Sequence, residues 1–221
     1  MNDSDHKKLS NVPQNIRREY QHAGILETAM HTNPLEEFNL WFQSAVKYGV
    51  DQANAMSLAT ATKQGRPSLR QVLLKDYSAE GFVFYTNYKS RKGRELAENP
   101  QAALLFYWSD LNRQIRIEGS VEKTSADISD KYFSSRPWGA QLGAYASPQS
   151  SEIKNRLALE QLVANAEKVS SKKSIKRPEH WGGYTLKPNY FEFWQGRENR
   201  LHDRIVYELE ANNWKIKRLA P

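Results

Sequence analysis

The chain has 221 residues and no cysteine. That absence excludes disulfides, thiolate catalysis, iron–sulfur clusters and cysteine-ligated zinc together, and it permits a reducing compartment. No apolar run approaches the length of a membrane span. Met1 to Lys8 are polar, without the apolar segment of a signal peptide. A cytoplasmic protein without a membrane partner is therefore expected. Gly-x-Gly-x-x-Gly is missing, which argues against a Rossmann dinucleotide site. The P-loop and the Gly-x-Ser-x-Gly nucleophile pattern are missing as well. His6, His22, His31, His180 and His202 show no metal-ligand spacing, so no metal is expected.

What is present suits a globular fold. The chain is 39% hydrophobic, with eleven Tyr, eight Phe and six Trp, enough for a substantial core. The net charge of +7 has two readings. Nucleic acid is one, and small phosphorylated ligands, which need local cations, are the other. Composition leaves both open. Length predicts one domain. We read residues 1–30 as a mobile N-terminal arm, with Arg17-Arg18-Glu19-Tyr20 its only dense chemistry, and residues 31–221 as a single domain.

Asn33-Pro34 reads as a helix start, followed by Leu35, Phe38, Phe42 and Ala45 at helical spacing and closed by Gly49. Strands are expected over 55–62, 68–75, 82–86, 102–108 and 113–123, with turns at 63–67 and 76–81 and a short helix at 90–99. Two further helices are expected over 125–134 and 151–169, then a basic loop over 168–180. Strands resume over 183–186, 190–194, 204–210 and 214–219, with Asn212-Asn213 as the last turn. Short strands joined by tight turns favour an antiparallel barrel, mainly β with peripheral helices (α+β).

The chemistry gathers in four places. Arg70-Gln71-Val72-Leu73-Leu74-Lys75 lies on the second strand, where Arg70 and Lys75 project from opposite faces. Tyr85-Thr86 through Ser90-Arg91-Lys92 ends a strand and enters a helix, where exposed N–H groups and the helix dipole favour an anion. Tyr132 and Arg136, one helical turn apart, can grip a phosphate from two directions. The fourth and densest stretch is Phe191-Glu192-Phe193-Trp194-Gln195-Gly196-Arg197-Glu198-Asn199-Arg200-Leu201-His202-Asp203-Arg204. Read as a hairpin with its return strand extended from Arg200, it puts Arg200, His202 and Arg204 on one face. Gln114 shares a strand face with Arg116 and Glu118.

The last stretch resembles the C-terminal signature of the pyridoxine/pyridoxamine 5'-phosphate oxidases. The resemblance extends from Arg17-Arg18-Glu19-Tyr20 to Trp214 through Pro221, by way of Arg70 to Lys75, Phe84 to Asn87, Ser90 to Lys92, Tyr132-Phe133 with Ser135-Arg136-Pro137, Gln149-Ser150-Ser151 and Trp181-Gly182-Gly183. It implies an FMN-binding split β-barrel that works as a homodimer with the flavin between subunits. It implies oxidation of pyridoxine 5'-phosphate or pyridoxamine 5'-phosphate to pyridoxal 5'-phosphate, with O2 as acceptor and H2O2 released.

By that resemblance, Arg70, Gln71, Val72, Leu73, Leu74, Lys75, Tyr85, Thr86, Arg91, Lys92, Gln114, Gln149, Ser150, Trp194 and Arg204 would contact FMN. Lys75, Tyr132 and Arg136 would hold the substrate phosphate. Arg200 and His202, with Leu201 between them, would lie over the pyridine ring as the catalytic pair. Arg17, Arg18, Glu19 and Tyr20 would act as a lid or accessory contact. Ala140 departs from the family, which often has serine there. Two phosphorylated ligands per site would account for the basic charge without nucleic acid. The alternatives are a split-barrel flavin reductase of another substrate, a non-catalytic FMN or pyridoxal phosphate carrier, and a nucleic-acid-binding barrel.

Overall fold

Asn33 opens the first helix. Its Oδ1 accepts from the Leu35 N–H at 3.0 Å, and Pro34 fills the first turn, where a missing N–H costs nothing. In this computed structural model, which describes residues 24–169 and 175–221, that helix is α1 (Pro34–Tyr48). Its apolar face buries Phe38, Trp41 and Ala45 against the sheet. Phe38 sits edge-on to Tyr77, Phe82 and Phe106, each ring centroid within about 5 Å, the geometry that aromatic quadrupoles favour.

The sheet follows in chain order: β1 (Ala55–Ala61), β2 (Pro67–Leu73), β3 (Asp76–Ser78), β4 (Gly81–Asn87), then α2 (Arg91–Glu98), β5 (Gln101–Trp108) and β6 (Arg113–Lys123). Three helices, α3 (Ala126–Ser135), α4 (Trp138–Ala146) and α5 (Arg156–Val169), precede β7 (Trp181–Gln195), β8 (Asp203–Glu210) and β9 (Asn213–Leu219). Every pairing is antiparallel, in the order β2-β1-β5-β6-β7-β4-β3, with β8 on β7 and β9 on β8. The sheet curls until β2 comes near β4. Mainly β with peripheral helices is the fold the sequence predicts.

Four expectations about local structure need correction. Asp76–Ser78 is a short strand inside the expected 76–81 turn. The helix expected from Ser151 begins at Arg156, because Asn155 Oδ1 accepts from the Ala158 N–H and sets the start there. The helix α4 was not expected, since its two glycines lower helix propensity. Tertiary contacts supply what propensity lacks: Leu142 is buried, and Gln141 Nε2 donates to the Arg136 carbonyl at 2.7 Å. Residues 181–195 form one strand rather than two. Pro188 is tolerated because the β6–β7 register shifts at Glu118/Gly119. Only glycine fits at 119, where a Cβ would lie 1.9 Å from the Lys187 carbonyl oxygen.

A fifth correction concerns the hairpin. Its return strand begins at Asp203, not at Arg200. Asn199 and Arg200 are left-handed, with φ of 55° and 60°, inside a single 3-10 turn. Period-two alternation therefore does not place Arg200 and His202, and the turn does. Residues 24–27, within the stretch read as an arm, are tied to the sheet. The Ile25 N–H donates to Asp203 Oδ2 at 3.0 Å, and Arg218 bonds the Ile25 carbonyl and both Glu27 carboxylate oxygens. Among the described residues no helix is long and apolar enough to cross a membrane.

Candidate active site

The curl that brings β2 near β4 leaves a cleft of about 450 Å3 between the sheet, the start of α2 and the α3–α4 corner. Gln71, Val72, Leu73 and Lys75 form one wall, and Tyr85, Thr86 and Lys92 the floor. Tyr132, Arg136, Pro137, Ala140, Gln149 and Trp181 complete it. These lining residues include three cations and no acid.

Two of the cations are electrostatically incomplete. Lys92 is buried, and among the described residues Nζ bonds only neutral acceptors, Thr86 Oγ1 at 3.2 Å and Gln149 Oε1 at 3.3 Å. Burial, with help from nearby Arg70, lowers its pKa. Arg136 stacks over Trp181, with Cζ 4.6 Å from the ring centroid, and its buried Nη1 has no hydrogen-bond partner among the described residues. Burial pushes its pKa down too. A buried cation without a counterion is costly, so an anion in the cleft is the complementary ligand. An aromatic bank stands beside them: Tyr85 stacks on Tyr132 at 3.9 Å and on Trp181 at 5.5 Å. Burial and the Tyr132 hydroxyl push the Tyr85 phenol up to about 12, so it stays protonated.

Behind this cleft lies a buried carboxylate that the sequence reading missed. Glu95 accepts from the hydroxyls of Thr60 and Ser68 and pairs with Arg70 at 3.4 Å and Arg91 at 2.9 Å. Burial alone would raise its pKa, but the bonds from Ser68, Thr60 and Arg91 outweigh it and hold the group at about 2. The one available signal was the i,i+4 spacing of Arg91 and Glu95.

The remaining site residues lie at the other end of β7. Trp194 is opposite Gln114 on β6 and opposite Arg204 on β8. Its ring centroid is 4.7 Å from that of His202. The Arg197 N–H donates to His202 Nδ1 at 3.1 Å, which puts the proton of the neutral ring on Nε2. Burial first, and Arg200 second, lower the His202 pKa below 6.5. Arg200 and Leu201 are exposed. Arg204 makes a two-pronged bond to buried Glu192, at 2.7 and 3.1 Å, and Arg116 pairs with the same carboxylate at 3.1 Å.

Of the residues singled out in the sequence, the cleft brings together Gln71, Val72, Leu73, Lys75, Tyr85, Thr86, Lys92, Tyr132, Arg136 and Gln149. Arg70 and Arg91 sit behind it on Glu95. The Leu74 side chain belongs to the core and does not line the cleft. Ser150 is exposed beside Gln149, with φ of 67°. Gln114, Trp194, Arg200, Leu201, His202 and Arg204 form the separate hairpin group. Arg17, Arg18, Glu19 and Tyr20 lie outside the described residues.

Comparison with known proteins bears on both groups. Residues 42–172 match the family model described as pyridoxamine 5'-phosphate oxidase. Residues 181–221 match the pyridoxine 5'-phosphate oxidase C-terminal dimerisation region. A pyridoxine/pyridoxamine 5'-phosphate oxidase from Cyanothece sp. is 51% identical over 206 residues, covering 93% of this chain and 97% of that protein. One from Polynucleobacter asymbioticus is 52% identical, with the same two coverages. Among solved structures, PhzG from Burkholderia lata, in complex with tetrahydrophenazine-1-carboxylic acid, superposes with a TM-score of 0.83 at 34% identity, covering 88% of this chain and 95% of that one. A pyridoxamine 5'-phosphate oxidase-related, FMN-binding protein from Nostoc punctiforme shares the fold, with a TM-score of 0.68 at 19% identity over 87% of this chain and all of that one. The fold is thus that of the split-barrel flavin-binding proteins, and the chain belongs to the pyridoxine/pyridoxamine 5'-phosphate oxidase family of enzymes.

Proposed function

We propose that this protein is an FMN-dependent oxidase that converts pyridoxine 5'-phosphate or pyridoxamine 5'-phosphate to pyridoxal 5'-phosphate. The observation behind this reading is the acid-free cleft, where buried Lys92 and half-buried Arg136 make no contact with a carboxylate among the described residues. Two phosphate esters satisfy two such cations. Lys92, backed by Arg70 and Arg91, would hold the FMN phosphate. Arg136, with Lys75 and Tyr132, would hold the substrate phosphate. When bound, FMN supplies the hydride acceptor and passes the electrons to O2. The substrate loses two electrons and two protons at its 4'-carbon while O2 becomes H2O2; the amine also takes up water and releases ammonia.

The chain's own residues bind and orient. The Tyr85, Tyr132 and Trp181 bank excludes water from one side of the cleft. Arg200 and His202 would cover the substrate ring, with neutral His202 keeping its proton on Nε2. These two belong to a second copy of the chain. Trp181 and Trp194 are thirteen residues apart on one strand, about 40 Å of contour at ~3.3 Å per residue, beyond the span of one small ligand. A homodimer that lays the hairpin of one protomer over the cleft of its partner would complete both sites, in keeping with the match of residues 181–221 to a dimerisation region.

The test is the absorbance spectrum of the purified protein, followed by pyridoxine 5'-phosphate under air. Flavin bands with formation of aldehyde and peroxide are expected. Flavin without turnover would favour another substrate, such as the phenazine carboxylate bound by the solved neighbour. No flavin after reconstitution with FMN would overturn the reading.

A further inference from the structure

Arg70 and Arg91 approach the cleft from different elements, β2 and the first turn of α2. Nothing in either backbone fixes where two long guanidinium groups end. Glu95 does. It is one turn along α2 from Arg91, and its side chain is only 5% exposed. Oε1 accepts from Arg91, while Oε2 takes the Thr60 and Ser68 hydroxyls and lies 3.4 Å from Arg70 Nη2. Arg70 also donates to Thr60 Oγ1 and to Ser68 Oγ. Each hydroxyl therefore accepts from the arginine and donates to the carboxylate, so the node is closed and directional. Lys92, the cation that enters the cleft, is next to Arg91 and close enough for both Arg70 and Glu95 to act on its charge.

The helix is held as firmly as the node. Ser90 Oγ accepts from the Gly93 N–H, and a Cβ at Gly93 would lie 2.2 Å from the Tyr88 carbonyl oxygen. The first turn of α2 is thus capped and packed closely on the preceding turn, an arrangement that suits arginines aimed before a ligand arrives. Charge supports the same role. Arg70, Arg91 and Lys92 total +3, and Glu95 reduces this to +2, the complement of a dianionic phosphate monoester.

We infer that Glu95 is a positioning residue for phosphate recognition: it holds Arg70 and Arg91 in the orientation that, together with Lys92, receives a phosphate monoester. This rests on the FMN reading above and names the side chain on which its selectivity depends. Removing the carboxylate leaves Arg91 unaimed and Arg70 held only by the Leu58 carbonyl and by the Thr60 and Ser68 hydroxyls, which then lose their own acceptor. Flavin binding should then lose what the phosphate contributes and keep what the isoalloxazine ring contributes.

The experiment compares FMN with riboflavin, which lacks the phosphate, by quenching of flavin fluorescence on apo-protein. Wild type is measured first. A wild-type protein that shows no preference for FMN over riboflavin overturns the FMN reading and this inference with it. Given that preference, Glu95→Gln is expected to weaken FMN binding tenfold or more and to leave riboflavin within about threefold. Glu95→Asp, which keeps the charge, is expected to recover part of the difference. Equal FMN affinity in Glu95→Gln and wild type would overturn the inference, as would a parallel loss for both flavins, the mark of a merely structural role. Should Glu95→Gln not fold, Ser68→Ala removes one donor and leaves the carboxylate. It is expected to weaken FMN selectively by about threefold, and an unchanged FMN-to-riboflavin ratio would overturn the inference.

Discussion

The two ends of β7 use the same parts differently. At the cleft, Glu95 gathers Arg70 and Arg91, while Lys92 and Arg136 form no ion pair among the described residues. At the hairpin, Glu192 takes both Arg116 and Arg204, and Asp203 takes both Arg197 and Arg218. One end keeps cationic charge in reserve behind an aromatic bank, and the other spends it on its own acids to hold a turn. A basic sequence segment therefore does not announce an anion site by itself. What distinguishes the cleft is a cation whose burial is uncompensated, and what distinguishes the hairpin is a left-handed turn that presents Arg200 beside His202 and Trp194.

Removing one element from each end should separate the roles. Arg200→Ala is expected to lower kcat/KM about 100-fold through misorientation of the substrate, with the FMN content of the purified protein unchanged. Flavin loss in this variant would assign Arg200 to the cofactor instead. The same substitution removes one of the two causes that depress the His202 pKa, so the imidazole should titrate closer to 6.5 by NMR. Lys92→Ala is expected to weaken FMN by about 10- to 100-fold, the value of ~1.5–3 kcal/mol for bonds to a charged group, and fluorescence titration reads it.

A pH experiment tests the cleft end alone. The folded pKa of Glu95, about 2, lies below its ordinary 4.5, so the unfolded state binds more protons between those values. The stability this carboxylate contributes is fully present above pH 4.5 and is lost as pH falls toward 2. Urea unfolding midpoints should therefore fall less steeply across that window in Glu95→Gln than in wild type. The smallest change expected is at Ala140, which lines the cleft beside Arg136 and Pro137. Ala140→Ser adds a hydroxyl there, and a single neutral bond of ~0.5–1.5 kcal/mol would lower the KM for the phosphorylated substrate about two- to tenfold.

Much of this was legible in the sequence where local chemistry decides. Asn33-Pro34 and Gly49 bounded α1, and Ser90 and Pro100 bracketed α2, because caps and proline act within a turn. The helix α4 was not legible, because its glycine-rich segment is stabilised by Leu142 and Gln141 contacts made elsewhere in the fold. The continuity of β7 through Pro188 depends on a bulge at Asn189, set by the register against Glu118 and Gly119 of β6, which β7's own sequence does not record. Cations of the site stood out as motifs. Glu95 did not, and Glu192, though inside the C-terminal stretch, showed no role there, since a carboxylate becomes informative only once its burial and partners are known. The period-two argument failed at Arg200 for a backbone reason: two left-handed residues interrupt the strand before Asp203.

The most direct test of the account is subunit complementation between two inactive variants, Lys92→Ala/Arg136→Ala and Arg200→Ala/His202→Ala, co-expressed with different tags. If each site joins the cleft of one protomer to the hairpin of its partner, a twofold heterodimer contains one intact site, and a random mixture should regain about a quarter of wild-type activity. Purified heterodimers should regain about half. Mixtures and purified heterodimers that stay as inactive as the parent variants would contradict it, because both groups would then have to act within one chain.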